Sequence, residues 1–284
     1  MPNNSRELLG SAAHDQRYIE RDGVGIICSE RFLREPGLTH GFTTRRGGVS
    51  APPFDTLNLG TTRSEPYSNI MRNYRKLCSA YGLEFNELSL VRHEHGVNIL
   101  RLEGPDAGHG ISREPFDFCD GLVTNDPSVT LVTCHADCSA FFVYDRVTRS
   151  IGLAHAGWKG MFGRIGQKLV RRLETEYGAE AKDMIAAIGP CICEKCFEVE
   201  TELAESFAAE FDCPDIYSVS EQKPGKAYVS LRTAAVIQLM DAGVPISGIS
   251  IMEHCTFEEK ELFYSYRRDG KGTGSMAAFL RLDK

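Results

Sequence analysis

The sequence has no apolar run near the roughly 20 residues that a membrane-spanning helix needs, and it has no excess of basic residues. Lysine and arginine number 32 against 39 acidic residues, for a net charge of −7. This balance argues against sequence-independent nucleic-acid binding, which depends on a basic surface. Residues 1–23 are polar and contain no apolar signal-peptide core. We therefore expect a cytoplasmic protein that binds neither membranes nor nucleic acid.

The chain also lacks a linker rich in proline or serine, an internal repeat and a low-complexity tract. Its 284 residues, 42% hydrophobic and 25% charged, have a composition typical of a globular protein with a sizeable core. We predict a flexible N-terminal arm over residues 1–20 and a single domain over residues 21–284.

Three common nucleotide-binding and metal-binding patterns are absent. Gly160, Gly163 and Gly166 lie inside a predicted helix, without the GxGxxG spacing and preceding strand of a dinucleotide fold. Segment 270–274 is rich in glycine but does not match a P-loop. Segment 190–193 is one residue short of PCxxC and no HxE precedes it, so the zinc-deaminase signature is not met.

Cysteine, by contrast, is abundant, with ten in the chain. In the absence of a secretory signal we do not interpret them as a disulfide framework, and several lie in apolar runs as small core residues. Cys191, Cys193 and Cys196 are close in sequence, but no second pair follows at zinc-ribbon spacing. We interpret this segment as a loop with one or two buried cysteines.

The hydrophobic pattern predicts an α+β fold. Strands are predicted over residues 24–28, 39–43, 88–91, 97–102, 121–124, 129–133, 140–144, 151–154, 184–188, 246–252 and 276–282. Helices are predicted from Ser64-Glu65-Pro66 to Gly82 and over residues 158–177, 199–211 and 231–242. Because the strands cluster before residue 154 and most helices follow, we expect sheets covered by helices.

The strongest functional signal is a set of two imidazoles and one thiol, each beside small or turn-forming residues: His95, Cys138 and His155. Mixed nitrogen and sulfur donors suit Zn²⁺, and three protein ligands leave a fourth position for water or substrate. If these residues converge, we expect a catalytic metal site. Other nearby donors leave the choice of ligands open on sequence alone: His93, Cys134 and His135.

Three segments are candidate binding sites for an anion or a ring. His155 ends a predicted strand, and the glycine-rich turn 156–160 leads into a helix whose first backbone amides favour an anion. Arg45 begins an Arg-Arg-Gly-Gly run suited to phosphate or carboxylate, and Asn58 follows shortly. Segment 263–270 mixes aromatic residues with arginines, which is a pattern suited to stack a ring and hold an anion.

A series of short motifs carries a resemblance to a known family. In chain order they are FTTRRGGVS (42–50), NLG (58–60), HG (95–96), DGLVT (120–124), ADC (136–138), AHAGWKG (154–160), IGPCI (188–192), CFEV (196–199) and FYSYRRDG (263–270). Together they resemble the YfiH/YlmD-like purine nucleoside phosphorylase family, long labelled a laccase domain or multicopper polyphenol oxidase. The resemblance runs from about residue 20 to the end of the chain, so the domain is expected to be the catalytic one.

The resemblance implies a four-layer α/β/β/α sandwich with mixed sheets, related to cysteine-hydrolase-like toxin domains. It implies a zinc ion held by His95, Cys138 and His155. It also implies phosphorolysis of adenosine, inosine, guanosine and S-methyl-5′-thioadenosine, together with deamination of adenosine. The expected partners are therefore purine nucleosides and phosphate, acted on by a monomer or a small homo-oligomer.

Further site residues follow from this hypothesis. Asp137, Arg45 and Asn58 are expected in the active site, with Asp137 or Glu94 as proton shuttle. The residues expected to bind substrate or phosphate are Arg45, Gly157, Trp158, Lys159 and Arg268. Two positions depart from the family pattern, because His93 stands where glutamine is usual and Ser275 where arginine is usual.

Three alternative functions remain open on sequence alone. The first is a copper polyphenol oxidase, since two histidines and one cysteine also suit copper in vitro. A multicopper enzyme, however, needs roughly ten histidines, and the chain has eight. The second is a metal-free cysteine hydrolase with Cys138 as nucleophile and His155 as base. The third is a non-enzymatic role in binding a protein partner, for which the sequence shows no surface signature.

Overall fold

The computed structural model describes residues 4–61 and 64–284, which form strands and helices in a mixed arrangement. The strands are β1 (Ala13–His14), β2 (Arg17–Arg21), β3 (Val24–Cys28), β4 (Leu38–Thr43), β5 (Leu88–Leu90), β6 (Ile99–Arg101), β7 (Gly121–Thr124), β8 (Thr130–His135), β9 (Ser139–Asp145), β10 (Ser150–Ala156), β11 (Met184–Ile188), β12 (Glu198–Glu200), β13 (Tyr217–Val219), β14 (Lys226–Val229), β15 (Ile249–Ile251) and β16 (Met276–Leu282). The α-helices are α1 (Ser5–Ser11), α2 (Glu30–Leu33), α3 (Tyr67–Tyr81), α4 (Trp158–Phe162), α5 (Ile165–Tyr177), α6 (Thr201–Glu210), α7 (Leu231–Asp241) and α8 (Tyr266–Asp269).

Two large mixed sheets contain most of the strands. One has seven strands in the order β1-β15-β11-β9-β10-β7-β6, and the other has six in the order β2-β3-β4-β16-β8-β5. A third, three-stranded sheet has the order β12-β14-β13. In the first large sheet β9 and β10 pair antiparallel, whereas β11 and β15 pair parallel. The predicted mixture of helices with mixed sheets is confirmed.

The core consists of three clusters of buried side chains. Along β9, Phe141 and its alternate neighbours pack with α5 and α7, whereas Phe142 faces a second cluster shared with the six-stranded sheet. On β16, Phe279 packs with Tyr74 of α3 in a third cluster. These strands bury both faces, so their sequences are continuous apolar runs rather than alternating ones. The four-layer arrangement and the relation to toxin domains stay predictions.

Several helix boundaries differ from the sequence prediction. The helix predicted over 158–177 is interrupted, because Arg164 has a φ of 59° and separates the short α4 from α5. The Arg164 guanidinium forms ion pairs with Glu210 and Asp241, and these ion pairs stabilise the interruption between the two helices. The predicted helix start at Ser64 is also wrong, since α3 begins at Tyr67 with no side-chain cap.

Residues 5–20 belong to the N-terminal arm predicted over residues 1–20, of which the first three lie outside the described residues. They form α1, β1 and most of β2, and β1 pairs with β15. Ser5 donates hydrogen bonds to Asp215, and Leu8 is buried in the core. The apolar pattern of residues 5–20 is too short to predict these contacts. Their partners, Asp215 and β15, are also distant in sequence. None of the described helices combines the length and apolarity that crossing a bilayer requires.

We predict that Phe142→Ala lowers the free energy of unfolding by about 3–5 kcal/mol. Phe142 is fully buried between the two large sheets, so its removal leaves a cavity. The matched control is Val147→Ala in the same region, where the side chain is 74% exposed and the expected change is under about 0.5 kcal/mol. Urea unfolding of both variants measures the difference, and equal losses would contradict this packing.

Candidate metal centre and cavity

The candidate metal ligands lie on a strand of the seven-stranded sheet and on two turns. His155 lies on β10 opposite Ala140 of β9, and Cys138 immediately precedes β9. The turn that presents Cys138 depends on Asp137, whose φ of 84° is in the left-handed region. His95 is also left-handed, with φ of 61°, in the loop between β5 and β6. Two turns therefore present His95 and Cys138, whereas strand β10 presents His155.

The structure brings the three candidate ligands close together. One ligand atom each of His95, Cys138 and His155 lies within 4.8 Å of the others. His155 is buried, Cys138 is half-buried and His95 is exposed, so the group is open on one side. A three-residue group that faces an open cavity has the geometry expected of a catalytic metal site.

Gly157 makes this convergence possible. A Cβ atom at this position would lie 2.9 Å from Cδ2 of His95 and 3.3 Å from Sγ of Cys138. Its φ of −68° suits any residue, so the requirement for glycine is steric rather than conformational. Any larger residue would displace a candidate ligand.

Asp120 holds two of the ligands in place, and the sequence analysis did not assign it a role. Its fully buried carboxylate accepts hydrogen bonds from the backbone amides of Glu94, His95 and Gly96 at 3.3, 3.1 and 2.7 Å. It also lies 2.9 Å from Nδ1 of His155. A carboxylate only accepts, so this nitrogen carries the proton and Nε2 is the one left for a metal. The only sequence signal was the position of Asp120 in the DGLVT motif.

His93 lies beside the ligands as a neutral imidazole. Its Nε2 accepts a hydrogen bond from the backbone amide of Cys134 at 3.2 Å. Burial, reinforced by the neighbouring His155 and His135, holds the pKa of His93 well below its usual value. His93, Asp120 and His155 also form an overlapping group of potential ligand atoms. His93 is therefore placed to adjust the electrostatics of a metal ion if one binds at His155.

His135 supports the turn instead of joining the group. Its Nδ1 donates to the carbonyl of Cys138 at 3.1 Å, and its Nε2 accepts from the Thr133 hydroxyl at 2.8 Å. Burial lowers the pKa of His135 to about 4. Both ring nitrogens have protein partners, so the described contacts give His135 a structural role in holding Cys138.

Burial also sets the state of the Cys138 thiol. It raises the pKa of Cys138 to about 12, with a smaller contribution from the Asp137 charge. A cysteine hydrolase requires a thiolate paired with an imidazolium, and burial also keeps the pKa of His155 well below its usual value. Coordination to a metal ion, by contrast, deprotonates a thiol outright. The site therefore favours metal binding over a free nucleophile.

The candidate ligands open into a cavity of about 590 Å³, within the range of about 300–1,000 Å³ typical of small-molecule sites. Aromatic residues from separate segments line it: Trp158, Phe197 and Tyr266. Two arginines, Arg92 and Arg267, also line it. The sequence analysis gave Phe197 and Arg92 no role, whereas Tyr266 and Arg267 belong to segment 263–270, which it named as a candidate site for a ring and an anion. The cavity combines flat apolar surfaces, cations and a potential metal site.

Asp137 lies in the wall of this cavity, and both oxygens of its carboxylate accept hydrogen bonds. One oxygen accepts from the Thr256 hydroxyl at 2.8 Å. The other accepts from the Ser265 hydroxyl at 3.0 Å and from the backbone amide of Arg267 at 2.7 Å. These contacts fasten the start of α8 to the turn that presents Cys138. The structure therefore connects Asp137 to the placement of Arg267.

Four of the predicted site residues lie outside the lining of this cavity. Arg45 pairs with Asp55 at 3.2 Å and stacks on Tyr264, beside a separate surface depression. Arg268 also borders that depression, and its guanidinium donates to the carbonyls of residues 256, 257 and 263. Lys159 is exposed above the ring of Trp158. These cations have local partners that no sequence pattern reveals.

Asn58 is the fourth such residue, and it contacts two residues that line the cavity. Its side-chain oxygen accepts from the backbone amides of Gly60 and Ser275, both of which line the cavity. Its amide nitrogen donates to Glu65 at 2.7 Å. Asn58 is therefore placed to position the segment that carries Ser275, one of the two departures from the family pattern.

Comparison with known proteins agrees with this geometry. A family model described as multi-copper polyphenol oxidoreductase laccase matches residues 39–283. The chain belongs to that family. It is similar to the purine nucleoside phosphorylase YlmD of Bacillus subtilis strain 168, with 32% identity over 84% of this chain and 87% of the relative. A purine nucleoside phosphorylase of Deinococcus radiodurans is 35% identical over 89% of this chain and 93% of its own length.

Solved structures of family members share the fold. A Bacillus licheniformis protein described as hypothetical protein YfiH superposes with a TM-score of 0.86 at 28% identity, over 94% of this chain and 99% of that one. YlmD from Geobacillus stearothermophilus superposes with a TM-score of 0.85 at 31% identity, over 94% and 98%. The predicted family resemblance is confirmed.

We predict that Asp120→Asn weakens metal binding about 10–100-fold. Asparagine keeps the size of the side chain but removes the charge, and its amide cannot accept from all of the donors that face it. The matched control is Asp117→Asn, an exposed residue in the preceding loop. Competition with a chromophoric zinc chelator measures both affinities. An unchanged affinity in folded Asp120→Asn protein would contradict the orienting role of Asp120.

Proposed function

We propose that this chain is a zinc-dependent purine nucleoside phosphorylase acting on adenosine, inosine, guanosine and S-methyl-5′-thioadenosine, and that it also deaminates adenosine. The observation that supports this most is the convergence of His95, Cys138 and His155 on a cavity of nucleoside size. Relatives that cover most of this chain are named purine nucleoside phosphorylases. We also propose a cytoplasmic location and a monomeric or small homo-oligomeric state.

The donor set fits zinc. Two imidazoles and one thiolate are ligands that Zn²⁺ binds in catalytic sites with three protein ligands. Asp120 supplies the carboxylate that commonly orients a zinc-bound histidine. Zinc bound there would lower the pKa of a water for deamination and act as a Lewis acid.

The cavity walls suit a nucleoside and phosphate. Trp158 and Tyr266 offer ring faces for a purine. Arg267 lies over Phe197 and donates to the Glu198 carbonyl, and Arg92 lies over Phe118, so the remaining N–H groups of these two guanidiniums are the ones we assign to phosphate. In phosphorolysis, a phosphate oxygen forms a bond to the anomeric carbon while the bond from that carbon to the base nitrogen breaks. The base leaves with the electron pair and then takes up a proton.

Asp137 acts in this proposal as a positioning residue. Both of its carboxylate oxygens accept hydrogen bonds, and one of the donors is the backbone amide of Arg267. It therefore holds the proposed phosphate-binding arginine beside the metal ligands. The proton-shuttle role suggested by sequence for Asp137 or Glu94 stays a prediction.

A copper polyphenol oxidase is the second candidate, because the family model carries that description. The chain has eight histidines. Those that lie away from the cavity contact other protein groups. His40 accepts from the Ser29 amide, His109 stacks on Phe116 and His254 pairs with Glu259. Only His93, His95, His135 and His155 cluster among the described residues. This arrangement supports one ion rather than several coppers.

The proposed activity predicts phosphate-dependent cleavage of nucleosides. Zinc-loaded protein incubated with inosine is expected to release hypoxanthine and ribose 1-phosphate only when phosphate is present. With adenosine, inosine formed without phosphate would report deamination. Chromatography of the products measures both reactions. His155→Ala is expected to abolish them, whereas the matched control His109→Ala is expected to retain them. No turnover of either nucleoside by zinc-loaded protein would contradict the proposal.

A second prediction concerns the phosphate-binding arginine. Arg267→Ala is expected to raise the KM for phosphate about 10- to 100-fold, because a hydrogen bond to a charged group contributes about 1.5–3 kcal/mol. Arg45→Ala is the matched control and is expected to leave this KM unchanged, since Arg45 faces a different depression. Steady-state kinetics with varied phosphate separates the two. A large effect of Arg45→Ala without one of Arg267→Ala would contradict our assignment.

A further inference from the structure

A second group of potential metal ligands lies outside the site described above. One ligand atom each of Cys193, Cys196, Cys255 and Glu258 lies within 4.8 Å of the others. Cys193 and Cys255 are buried, Cys196 is half-buried and Glu258 is exposed. The ten cysteines are all free thiols in this structure, so none of the three in this group belongs to a disulfide.

Two neighbouring strands bring the group together. β11 and β15 are parallel neighbours in the seven-stranded sheet, so the segments that follow them leave the same edge. Beyond the strands, Cys191 and Cys255 continue the pairing as an isolated bridge. The backbone amide of Cys193 donates to Sγ of Cys255 at 3.4 Å. The fold therefore places two loops, 62 residues apart, directly side by side.

Each loop contributes two potential ligands with two residues between them. Cys193 and Cys196 are joined by a turn in which the Cys196 amide donates to the Cys193 carbonyl at 3.0 Å. Cys255 and Glu258 have the same spacing, within a turn in which the Glu259 amide donates to the Cys255 carbonyl at 3.0 Å. Paired ligands at this spacing are typical of structural zinc sites. The sequence analysis missed the second pair because one of its members is a glutamate.

We propose that Cys193, Cys196, Cys255 and Glu258 form a second, structural zinc site. Four protein ligands close a tetrahedral shell and leave no position for substrate. Zinc–sulfur bonds of about 2.3 Å place tetrahedral ligand atoms about 3.8 Å apart, and Sγ of Cys193 lies 3.8 Å from the Glu258 carboxylate. Small adjustments of the side chains therefore suffice to enclose one ion.

A buried cation lies next to this site. The Arg232 guanidinium, on α7, donates to the carbonyls of Glu253 and His254 at 2.7 and 2.8 Å, immediately before Cys255. Three thiolates and a carboxylate around a divalent ion carry a net charge of −2, and Arg232 partly offsets it. The arginine therefore suits a charged metal centre better than a cluster of neutral thiols.

The site also joins two walls of the cavity. Ile192 and Phe197, which flank the first ligand pair, line the cavity, and Thr256 beside Cys255 donates to Asp137. A metal ion that ties the two loops would therefore fix the part of the cavity wall next to Asp137, whose carbonyl accepts from the Ile192 amide at 3.0 Å. Its role is to stabilise that wall and not to contact substrate.

Metal content of purified variants tests the proposal. We expect two zinc ions per wild-type chain, measured by mass spectrometry of the element against amino-acid analysis. His95→Ala is expected to keep one ion and Cys193→Ser to lose one. Cys191→Ser is the matched control, since this neighbouring thiol is not part of the group, and it is expected to keep both. A His95→Ala chain without zinc, or full retention by Cys193→Ser, would overturn the proposal.

Cobalt replacement in the His95→Ala background gives a second readout that does not depend on the folding of a cysteine variant. Co²⁺ bound there is expected to show a thiolate-to-cobalt charge-transfer band and intense visible bands of a tetrahedral ion. Oxidation to a Cys193–Cys255 disulfide in freshly purified, reductant-free protein, found by peptide mass mapping, would overturn the proposal. So would weak visible bands typical of an octahedral ion bound by oxygen.

Discussion

The Asp120 carboxylate is fully buried and accepts hydrogen bonds from three consecutive backbone amides and from the His155 ring. A buried charge is tolerated only when such donors surround it, because removal from water is costly. The same contacts fix the position of His95 and the tautomer of His155. The geometry of the candidate metal centre therefore depends on one buried carboxyl side chain that is not itself one of the three proposed ligands.

Similar polar contacts hold the other walls of the cavity. Asn58 positions the segments of Gly60 and Ser275, and Asp137 fastens the start of α8 next to Cys138. Each links segments that are distant in sequence: Asn58 bonds to Ser275, and Asp137 bonds to Arg267. Hydrogen bonds of this kind keep a site in its productive geometry, so the site does not have to reorganise when substrate binds. The candidate metal ligands, Arg267 and the segment of Ser275 are thus each positioned by a different buried polar side chain.

Sequence patterns predicted most strands because continuous apolar runs have to be buried in sheets covered on both faces. They also predicted His95, Cys138 and His155, since donor chemistry is visible in the residue types themselves. They failed where a role depends on a distant partner. The stacking of Arg45 on Tyr264 could not be seen in the sequence, and the partner of the Cys193 pair lies in another loop. The role of Asp120 was equally invisible, because its partners are mostly backbone amides.

Anomalous X-ray diffraction at the zinc edge, from crystals of the metal-loaded protein, tests the central claim most directly. We expect a peak about 2.3 Å from Sγ of Cys138 and about 2.0–2.1 Å from Nε2 of His155 and a ring nitrogen of His95. The peak should face the cavity with one position left for water or substrate. A peak centred on His93 and Asp120 instead, or no peak at the three ligands in zinc-saturated protein, would contradict a catalytic zinc in this fold.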